Sequence, residues 1–404
     1  MREMKDSGYG YLGDIPVAWK VERIKNHLRF STEKNPGGVA VLSLYREYGV
    51  VPKDSRDDNH NVTSEDTSNY RYVRIGDFVV NKMKAWQGSM AVSDFEGVVS
   101  PAYYVYNFIT NDIDRKYLHY LLRSKCYAEE FRRLSAGIRI GQWDLPKSEF
   151  ETTCIAIPTL DEQRNIARII ESQISRIDAL VSNVQMQIEK LKTYKQSLIA
   201  EVVTKGINRE TATKECGNEY IGVIPAHWKS IKIKYLCSMQ AGKTLISEQI
   251  EEIGDYFVYG GNGIRGYFSD FNYNGTCLLV GRQGALCGNV HQVSGKFWAT
   301  EHAVITEPKE GVNLRYLFYL LTGMNLNLYV SPTAAQPGLS VSTVQNVITC
   351  LAPEDEQKEI VAFLDPKCLQ IDHLVEIKQK KIEKLEQYKK SLVYEYVTGK
   401  KEVS

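Results

Sequence analysis

The sequence of 404 residues has no apolar run of the roughly 20 residues that a membrane-spanning helix needs. Its eight cysteines are scattered without a Cys-x-x-Cys pair, which argues against a zinc finger or a disulfide-dense scaffold. Residues 1–6 lack the apolar core of a secretory signal, so we expect a cytoplasmic protein. The net charge is only +1, and charge alone therefore gives no indication of nucleic-acid binding.

Catalytic motifs are also missing. Residues 241–244 imitate the end of a phosphate-binding loop, but the glycine required five positions before Gly242 is Cys237. The sequence contains neither an Asn-Pro-Pro-aromatic methyltransferase motif nor a convincing nuclease cluster. We therefore expect a non-catalytic chain that binds no metal or cofactor of its own.

An internal repeat is the most informative feature that is present. Residues 161–204 align without a gap onto residues 355–398, at an offset of 194, and 20 of the 44 positions are identical. A shorter block, Gly-x-Ile-Pro-x-x-Trp, occurs at residues 13–19 and again at 222–228. A chain organised in this way can form a pseudo-dimer from one polypeptide, with two similar frames that present different surfaces.

The start of each long repeat is predicted to be a short helix. Thr159 and Glu162 have the spacing of a capping box, in which each side chain bonds to the backbone of the other residue. We expect this helix over residues 161–171 and over 355–364. Pro366 should then break the second copy, because proline has no N–H to donate inside a helix.

A longer helix follows in each copy, over about 174–204 and 368–398, and Gly206 and Gly399 stand where helices end. Thirty helical residues span about 45 Å. Apolar side chains at steps of three and four predict a narrow stripe that two such helices would bury against each other as a coiled coil. The alternative is that each helix packs on its own globular domain. The stripe comprises Leu180, Val184, Ile188, Leu191, Tyr194, Leu198 and Val202, with Leu374, Ile382, Leu385, Tyr388, Leu392 and Tyr396 in the second copy.

The stretches between the repeats have a different pattern. Short β-branched and aromatic runs, such as residues 78–80 and 277–280, alternate with turn residues and occasional helical segments, which predicts two α+β domains. A faint kinship at an offset of 200 links the two stretches. The predicted division of the chain is residues 1–158, 159–209, 210–352 and 353–404.

These repeated motifs, in this order, resemble the specificity subunit of type I restriction–modification systems along essentially the whole chain. The resemblance is carried by the two Gly-x-Ile-Pro-x-x-Trp blocks, the paired Asp-Glu-Gln helix starts and the Tyr-Lys-x-Ser-Leu helix ends. Residues 81–88 with 100–103, and residues 281–288 with 299–302, look like two types of target-recognition sequence.

The resemblance implies a fold and a set of partners. It implies an α+β, pseudo-twofold tandem repeat of two target-recognition domains, separated by two long helices packed as an antiparallel coiled coil. Each domain would read one half of a bipartite, asymmetric duplex DNA site. Two modification subunits would methylate adenine with S-adenosylmethionine, and restriction subunits would cleave with ATP and Mg²⁺. A coiled-coil scaffold that binds no DNA and a stand-alone methyltransferase are the competing interpretations.

Base edges are read by hydrogen-bonding groups held on short loops. On that basis the candidate DNA-binding residues are Lys82, Lys84, Trp86 and Gln87 in the first domain, and Tyr259, Asn262, Arg265, Arg282, Gln283 and His302 in the second. A core role for Trp86, and merely solvated lysines, are equally compatible with the sequence. For His302, which stands beside Glu301 without a second ligand, a structural or DNA-contacting role is favoured over a metal site.

The repeated helices also carry polar residues away from the stripe, which are either solvated or surfaces for the two modification subunits. These candidate docking residues are Asp178, Glu189, Lys190, Lys195 and Glu201. A rigid spacer of this length predicts a nonspecific gap of roughly 5–8 base pairs between the half-sites. Inserting about four residues into both helices should lengthen that gap by about one or two base pairs.

Overall fold

The structure is a computed structural model that describes residues 2–46, 48–55, 63, 66–137, 143–283, 287–329 and 338–403. The chain divides into two compact units, one formed by Met1–Val184 with Lys380–Ser404 and the other by Gln185–Gln379. No helix in the described ranges is long and apolar enough to cross a membrane. By the bounds of the two units, each combines one variable stretch with parts of both long repeats.

The elements, in chain order, are β1 Met4–Asp6, β2 Asp14–Pro16, β3 Lys20–Arg23, β4 Leu28–Phe30, β5 Leu42–Tyr45, β6 Gly49–Pro52, β7 Arg71–Val73, β8 Phe78–Asn81, β9 Met90–Val92, β10 Gly97–Val99, β11 Tyr103–Phe108, α1 Arg115–Arg123, α2 Lys125–Leu134, α3 Lys147–Thr152, β12 Cys154–Ile157, α4 Leu160–Lys205, β13 Thr213–Glu215, β14 Val223–Pro225, β15 Lys229–Lys232, β16 Cys237–Ala241, β17 Tyr256–Gly260, β18 Gly263–Phe268, β19 Tyr273–Gly281, β20 Val290–Ala299, β21 Ala303–Pro308, α5 Leu314–Gly323, α6 Val341–Asn346, β22 Ile348–Leu351 and α7 Glu354–Val397.

The main sheet of the first unit has four antiparallel strands in the order β4-β11-β8-β9. Its core is aromatic: the Phe150 ring contacts those of Tyr106 and Phe131, and all three residues are fully buried. The second unit has a six-stranded mixed sheet, β16-β21-β19-β20-β17-β18, in which only the β17–β20 pair is parallel among the described strands. The predicted α+β class is confirmed.

The two long helices differ from the sequence-based expectation. Each is a single helix, α4 of 46 residues and α7 of 44 residues, so the predicted short helices merge with the long ones. The predicted break at Pro366 is wrong. Leu364 and Cys368, on either side of the proline, are buried in the core of the second unit, and Asp365 accepts hydrogen bonds from Arg315 and Tyr319. Tertiary packing therefore holds the helix through the proline, although one backbone hydrogen bond is lost.

The capping box at the start of α4 forms only in part. Thr159 Oγ1 accepts from the backbone N–H of Glu162 at 3.3 Å, as predicted. The Glu162 side chain does not return to the cap, because it accepts from Trp19 Nε1 at 3.2 Å and from Arg2 at 2.5 Å. Glu356 in the second repeat likewise accepts from Trp228 Nε1 at 2.9 Å. In each unit the Asp-Glu-Gln motif is thus hydrogen-bonded to the tryptophan of the Gly-x-Ile-Pro-x-x-Trp motif.

The glutamine of each Asp-Glu-Gln motif is buried, and its side-chain amide bonds to three backbone groups; we call this arrangement a clamp. Gln163 accepts from the backbone N–H of Asp114 at 2.7 Å and donates to the carbonyl oxygens of Asp112 and Pro158 at 2.8 and 3.0 Å. Gln357 repeats this pattern with the N–H of Asn313, at 2.8 Å, and two carbonyl oxygens of the second unit. Asp114 and Asn313 are the N-caps of α1 and α5, so each clamp ties a long helix to the helix behind its sheet.

The helix seam follows an unbroken alternation of four- and three-residue steps. Its members are all buried or half-buried: Ile177, Val181, Val184, Ile188, Leu191, Lys195, Leu198 and Val202 on α4, and Ile371, Val375, Lys378, Ile382, Leu385, Lys389, Leu392 and Tyr396 on α7. The predicted stripe was wrong at Leu180 and Leu374, which are 49% and 39% exposed, and at Tyr194 and Tyr388, which are 57% and 51% exposed. Each lies one position from the seam, where the helix turns its side chain to solvent.

Two equivalent ion pairs fix the direction of helix packing. In the first unit Lys389 Nζ lies 2.5 Å from Asp178 of α4, and in the second unit Lys195 Nζ lies 2.6 Å from Asp372 of α7. Each pair joins the N-terminal half of one helix to the C-terminal half of the other, so the packing inside both units is antiparallel. Both pairs are partly exposed and contribute little to stability, but they specify the register.

Replacing Gln163 with alanine should destabilise the first unit by about 2–4 kcal/mol, because it leaves one buried N–H and two carbonyl groups without their partner. The matched control is Gln185→Ala, which removes an exposed glutamine from the same helix and should change stability by less than about 0.5 kcal/mol. Urea denaturation followed by circular dichroism measures both. Equal effects of the two substitutions would contradict the clamp.

Candidate nucleic-acid interface

One corner of the main sheet is built in the same way in both units. In the first unit β8 ends at Asn81, opposite Tyr103 of β11. In the second unit β19 ends at Gly281, opposite Ala303 of β21. The residue numbers differ by 200 at both positions, so the kinship seen in the sequence is a shared register. We call residues 81–88 with 100–103 the first corner, and residues 281–283 with 300–303 the second corner.

A tight loop forms the first corner. The Asn81 carbonyl accepts from Lys84 N–H, a 3-10 turn covers Ala85–Gln87, and the chain then enters β9. Lys82 forms an ion pair with Asp144 at 2.9 Å, and its backbone carbonyl accepts from Leu145 N–H. Lys84 is exposed, and its side chain has no hydrogen-bond or ion-pair partner among the described residues. Lys82 is therefore partly neutralised, whereas Lys84 keeps a positive charge available for an anion.

Trp86 lies half-buried at the surface of this loop. Its indole N–H donates to the carbonyl of Met83 at 3.1 Å, and its ring centroid lies 5.2 Å from that of Trp143. The Arg132 guanidinium sits 5.5 Å from the centre of the Trp143 ring. The resulting aromatic and cationic platform includes two residues that the sequence did not single out, since Arg132 and Trp143 are distant from the loop along the chain. Gln87, beside it, is half-buried.

The second corner depends on close backbone approach. A Cβ atom on Gly281 would lie 1.9 Å from the carbonyl oxygen of Gly261, so only glycine fits there. This contact brings the β17–β18 turn against β19, while Arg282 N–H donates to the carbonyl of His302 at 3.0 Å. Arg282, Gln283 and His302 are thus brought together. Gln283 is exposed, and Arg282 Nε has no partner in the described structure.

Three further candidates lie on β17, β18 and their connecting turn. Asn262 is exposed and accepts from Asn289 at 2.9 Å, and Arg265 is exposed on β18 with its aliphatic chain against Gly260. The ring of Tyr259 packs edge-on against Phe297 at 5.2 Å, and burial raises the pKa of its hydroxyl. Tyr259 therefore contributes chiefly to packing, while Asn262 and Arg265 present polar groups to solvent.

His302 and Glu301 form a close pair at the turn before β21, with 3.2 Å between Nε2 and Oε1. Their side chains are 35% and 32% exposed. Within the described ranges, no three His, Cys, Asp or Glu side chains are grouped so that they could hold a metal ion.

Comparison with known proteins identifies the class. Residues 17–190 and 225–387 each match the family of the type I restriction modification DNA specificity domain. The two matches cover well over half of the chain. The chain therefore belongs to this family and carries two such domains in tandem, which confirms the resemblance drawn from the repeated motifs.

Curated relatives support the same assignment. The chain is 45% identical to the EcoprrI specificity subunit of Escherichia coli over 134 residues, which are 32% of this chain and 33% of that protein. It is 26% identical to the MjaVIII specificity subunit of Methanocaldococcus jannaschii over 419 aligned residues, covering 96% and 93% of the two chains. Similarity is thus local and strong in one case, and weaker over nearly the full length in the other.

Solved structures share the fold. A chain from a structure on complex assembly and conformational transition of a type I restriction–modification system superposes with a TM-score of 0.68 at 16% identity, covering 95% of this chain and 98% of that one. The HsdS subunit from Thermoanaerobacter tengcongensis gives a TM-score of 0.50 at 16% identity, with the same coverage. The α+β architecture with two long helices is therefore that of the family.

Lys84→Gln should weaken DNA binding by a similar factor on specific and random duplexes, and should reduce the slope of log affinity against log salt by about 0.9, because one phosphate contact is lost. Fluorescence anisotropy of the purified protein between 50 and 200 mM salt, the range in which such contacts are resolved, measures the slope. Lys25→Gln is the control, since Lys25 is also exposed but precedes β4 at the opposite end of the sheet. An unchanged slope in Lys84→Gln would remove Lys84 from the interface.

Proposed function

We propose that this chain is the non-catalytic DNA-recognition subunit of a type I restriction–modification complex and reads a bipartite, asymmetric duplex site, one unit to each half-site. The observation that carries the proposal is the pair of equivalent corners. They share a register at an offset of 200, yet Lys82 in one stands where Arg282 stands in the other. A common frame with unlike side chains is what two different half-sites require.

Partner subunits supply the chemistry in this proposal. S-adenosylmethionine serves the methylation of adenine on two modification subunits, and ATP with Mg²⁺ serves the restriction subunits. The recognition subunit itself contributes only binding and orientation. Its DNA substrate implies that it works in the cytoplasm.

The two long helices set the spacing between the half-sites. Each contributes residues to both units, and each is about 66–69 Å long at 1.5 Å per residue, longer than the sequence predicted. The continuous heptad pattern of both helices supports a spacer of fixed length over a flexible linker. A gap of roughly 5–8 base pairs places both half-sites on one face of the duplex.

A spacer of this kind predicts how the gap responds to length. Seven residues inserted into α4 after Gln187, and seven into α7 after Lys381, keep the seam in register and add about 10 Å, which corresponds to roughly three base pairs. Methylation mapping should find both half-sites unchanged and the gap longer. A four-residue insertion into both helices is the control. It should lengthen the gap by only about one or two base pairs, and because it interrupts the heptad it should also weaken the packing of the helix pair. An unchanged gap after the seven-residue insertion would contradict the spacer.

Two equivalent surfaces on the helices are the docking sites for the two modification subunits. Leu180 and Leu374 correspond at the offset of 194, are identical, and are exposed, and the same holds for Tyr194 and Tyr388. In the antiparallel register, Leu180 of the first unit lies at the level of Tyr388, and Leu374 of the second lies at the level of Tyr194. Exposed leucine and tyrosine retained in both copies are typical of interfaces.

Of the polar docking candidates, Glu189 and Lys190 are exposed, and Glu201 pairs with Arg209 at 2.9 Å. Asp178 and Lys195 form the interhelical ion pairs. We therefore place the energetic centre of docking on the exposed leucine and tyrosine, with these polar groups around it.

Docking on repeated surfaces predicts a stepwise loss of partners. Leu180→Ser should leave a complex with one modification subunit, Leu374→Ser should do the same, and the double variant should bind none. Native mass spectrometry counts the subunits. Met186→Ser is the matched control, because Met186 is 56% exposed on the same helix but has lysine as its counterpart in the other copy. If both single variants still bound two partners, the docking surface would lie elsewhere.

A further inference from the structure

We propose that Glu301 determines base specificity in the second half-site, where its carboxylate accepts a hydrogen bond from the exocyclic amino group of a cytosine. The proposal rests on the function proposed above, in which the second unit reads one half-site. Glu301 was not among the candidate DNA-binding residues. Its assignment comes from the contacts of the second corner and from its comparison with the first.

The backbone on both sides of Glu301 is held in place. Thr300 N–H donates to the carbonyl of Tyr259 at 2.9 Å, and Ala303 N–H donates to the carbonyl of Thr300 at 2.9 Å, which closes the turn. The carbonyl of His302 accepts from Arg282 N–H at 3.0 Å. The Glu301 side chain therefore projects from a turn that is fixed on three sides, and a fixed acceptor can discriminate between bases.

Hydrogen-bonding capacity at this corner is left unused. Oε1 of Glu301 lies 3.2 Å from His302 Nε2, but Oε2 is covered and has no partner. Thr300 Oγ1, His302 Nδ1 and Arg282 Nε are also covered and unpaired within the described part of the chain. Covered polar atoms are nearly always paired, so four unpaired atoms on four neighbouring residues show that no internal hydrogen-bond network satisfies this corner. A ligand with hydrogen-bonding groups would complete such a network as the part-exposed side chains turn towards it.

The chemistry of these groups fits one kind of base pair. A carboxylate can only accept, and cytosine offers its N4 amino group as a donor in the major groove, whereas guanine offers the O6 and N7 acceptors that arginine recognises. Glu301 and Arg282 together thus match the two edges of a cytosine–guanine pair. Since the Glu301 and His302 side chains are about one-third exposed, they lie at the surface where a base edge can reach them.

The first corner supplies an internal comparison. There the same turn closes with Tyr103 N–H donating to the carbonyl of Ser100 at 2.9 Å, but Pro101 and Ala102 stand where Glu301 and His302 stand in the second corner. A scaffold role for the turn is therefore fulfilled without a carboxylate. The carboxylate belongs to what differs between the two units, as a specificity determinant should.

The experiment uses Glu301→Gln in the complete complex with its modification and restriction partners. Glutamine keeps the size of the side chain but adds a donor, and it suits adenine. On a panel of duplexes that varies each base of the second half-site, the variant should bind the native site roughly 10- to 100-fold more weakly and lose its preference for cytosine at one position, with adenine gaining. Preference in the first half-site should not change. Methylation mapping in cells gives the same information at the level of the modified site.

Two variants separate specificity from stability. Glu301→Asp keeps a carboxylate and should retain the cytosine preference at reduced affinity. Glu310→Gln makes the same chemical change at an exposed residue beyond the far end of β21 and should behave as the wild-type protein. Thermal unfolding should be the same for Glu301→Gln and Glu310→Gln.

The outcomes also separate this inference from the proposed function. If the wild-type complex reads a bipartite site and Glu301→Gln keeps every base preference, Glu301 is not a determinant while the proposed function stands. If Glu301→Gln loses affinity equally for all sequences, or unfolds earlier than Glu310→Gln, its role is structural and the inference is overturned. A wild-type complex that showed no preference in the second half-site would instead overturn the proposed function.

Discussion

The structure depends on a stripe of apolar side chains that is too narrow to be buried by a globular domain and must be buried by another helix. On α4 and α7 this stripe alternates in steps of four and three residues over 26 positions, from Ile177 to Val202 and from Ile371 to Tyr396. Lys195, Lys378 and Lys389 occupy three of its positions. The ion pairs Asp178–Lys389 and Lys195–Asp372 add little energy, yet they favour the antiparallel register, because a parallel arrangement would separate each charge from its partner. Helix pairing within each unit then determines which chain segments share that unit.

The repeated sequence motifs connect this helix pair to the variable domains. Gln163 and Gln357 bond to the N-cap residues of α1 and α5, while Glu162 and Glu356 accept from the tryptophan of each Gly-x-Ile-Pro-x-x-Trp block. Motifs that are far apart along the chain are therefore bonded to each other where the long helices meet the variable domains. With these contacts in place, the sheet corners can differ in their side chains, as between Lys82 and Arg282, while the surrounding frame stays the same.

Periodicity and duplication were sufficient to predict the tandem organisation, the α+β class, the pairing of the long helices and the family. The errors arose where local patterns compete with packing. Leu180 is four residues before Val184 and looks apolar enough for the seam, but the alternating steps select Val181 and turn Leu180 to solvent. Pro366 stays helical because buried neighbours on both sides hold it. The candidate DNA-reading residues were hardest to predict, since Arg132 and Trp143 lie far along the chain from the loop that they join, and Glu301 was singled out only by its contacts in the folded corner.

The central claim is that two equivalent frames in one chain carry unlike reading corners. Single-molecule methylation mapping of cells that express this chain with its modification subunits tests it most directly. The account predicts one modified motif, made of two different short half-sites separated by a gap of fixed length. A single contiguous motif, two identical half-sites, or a gap that varied from site to site would contradict it.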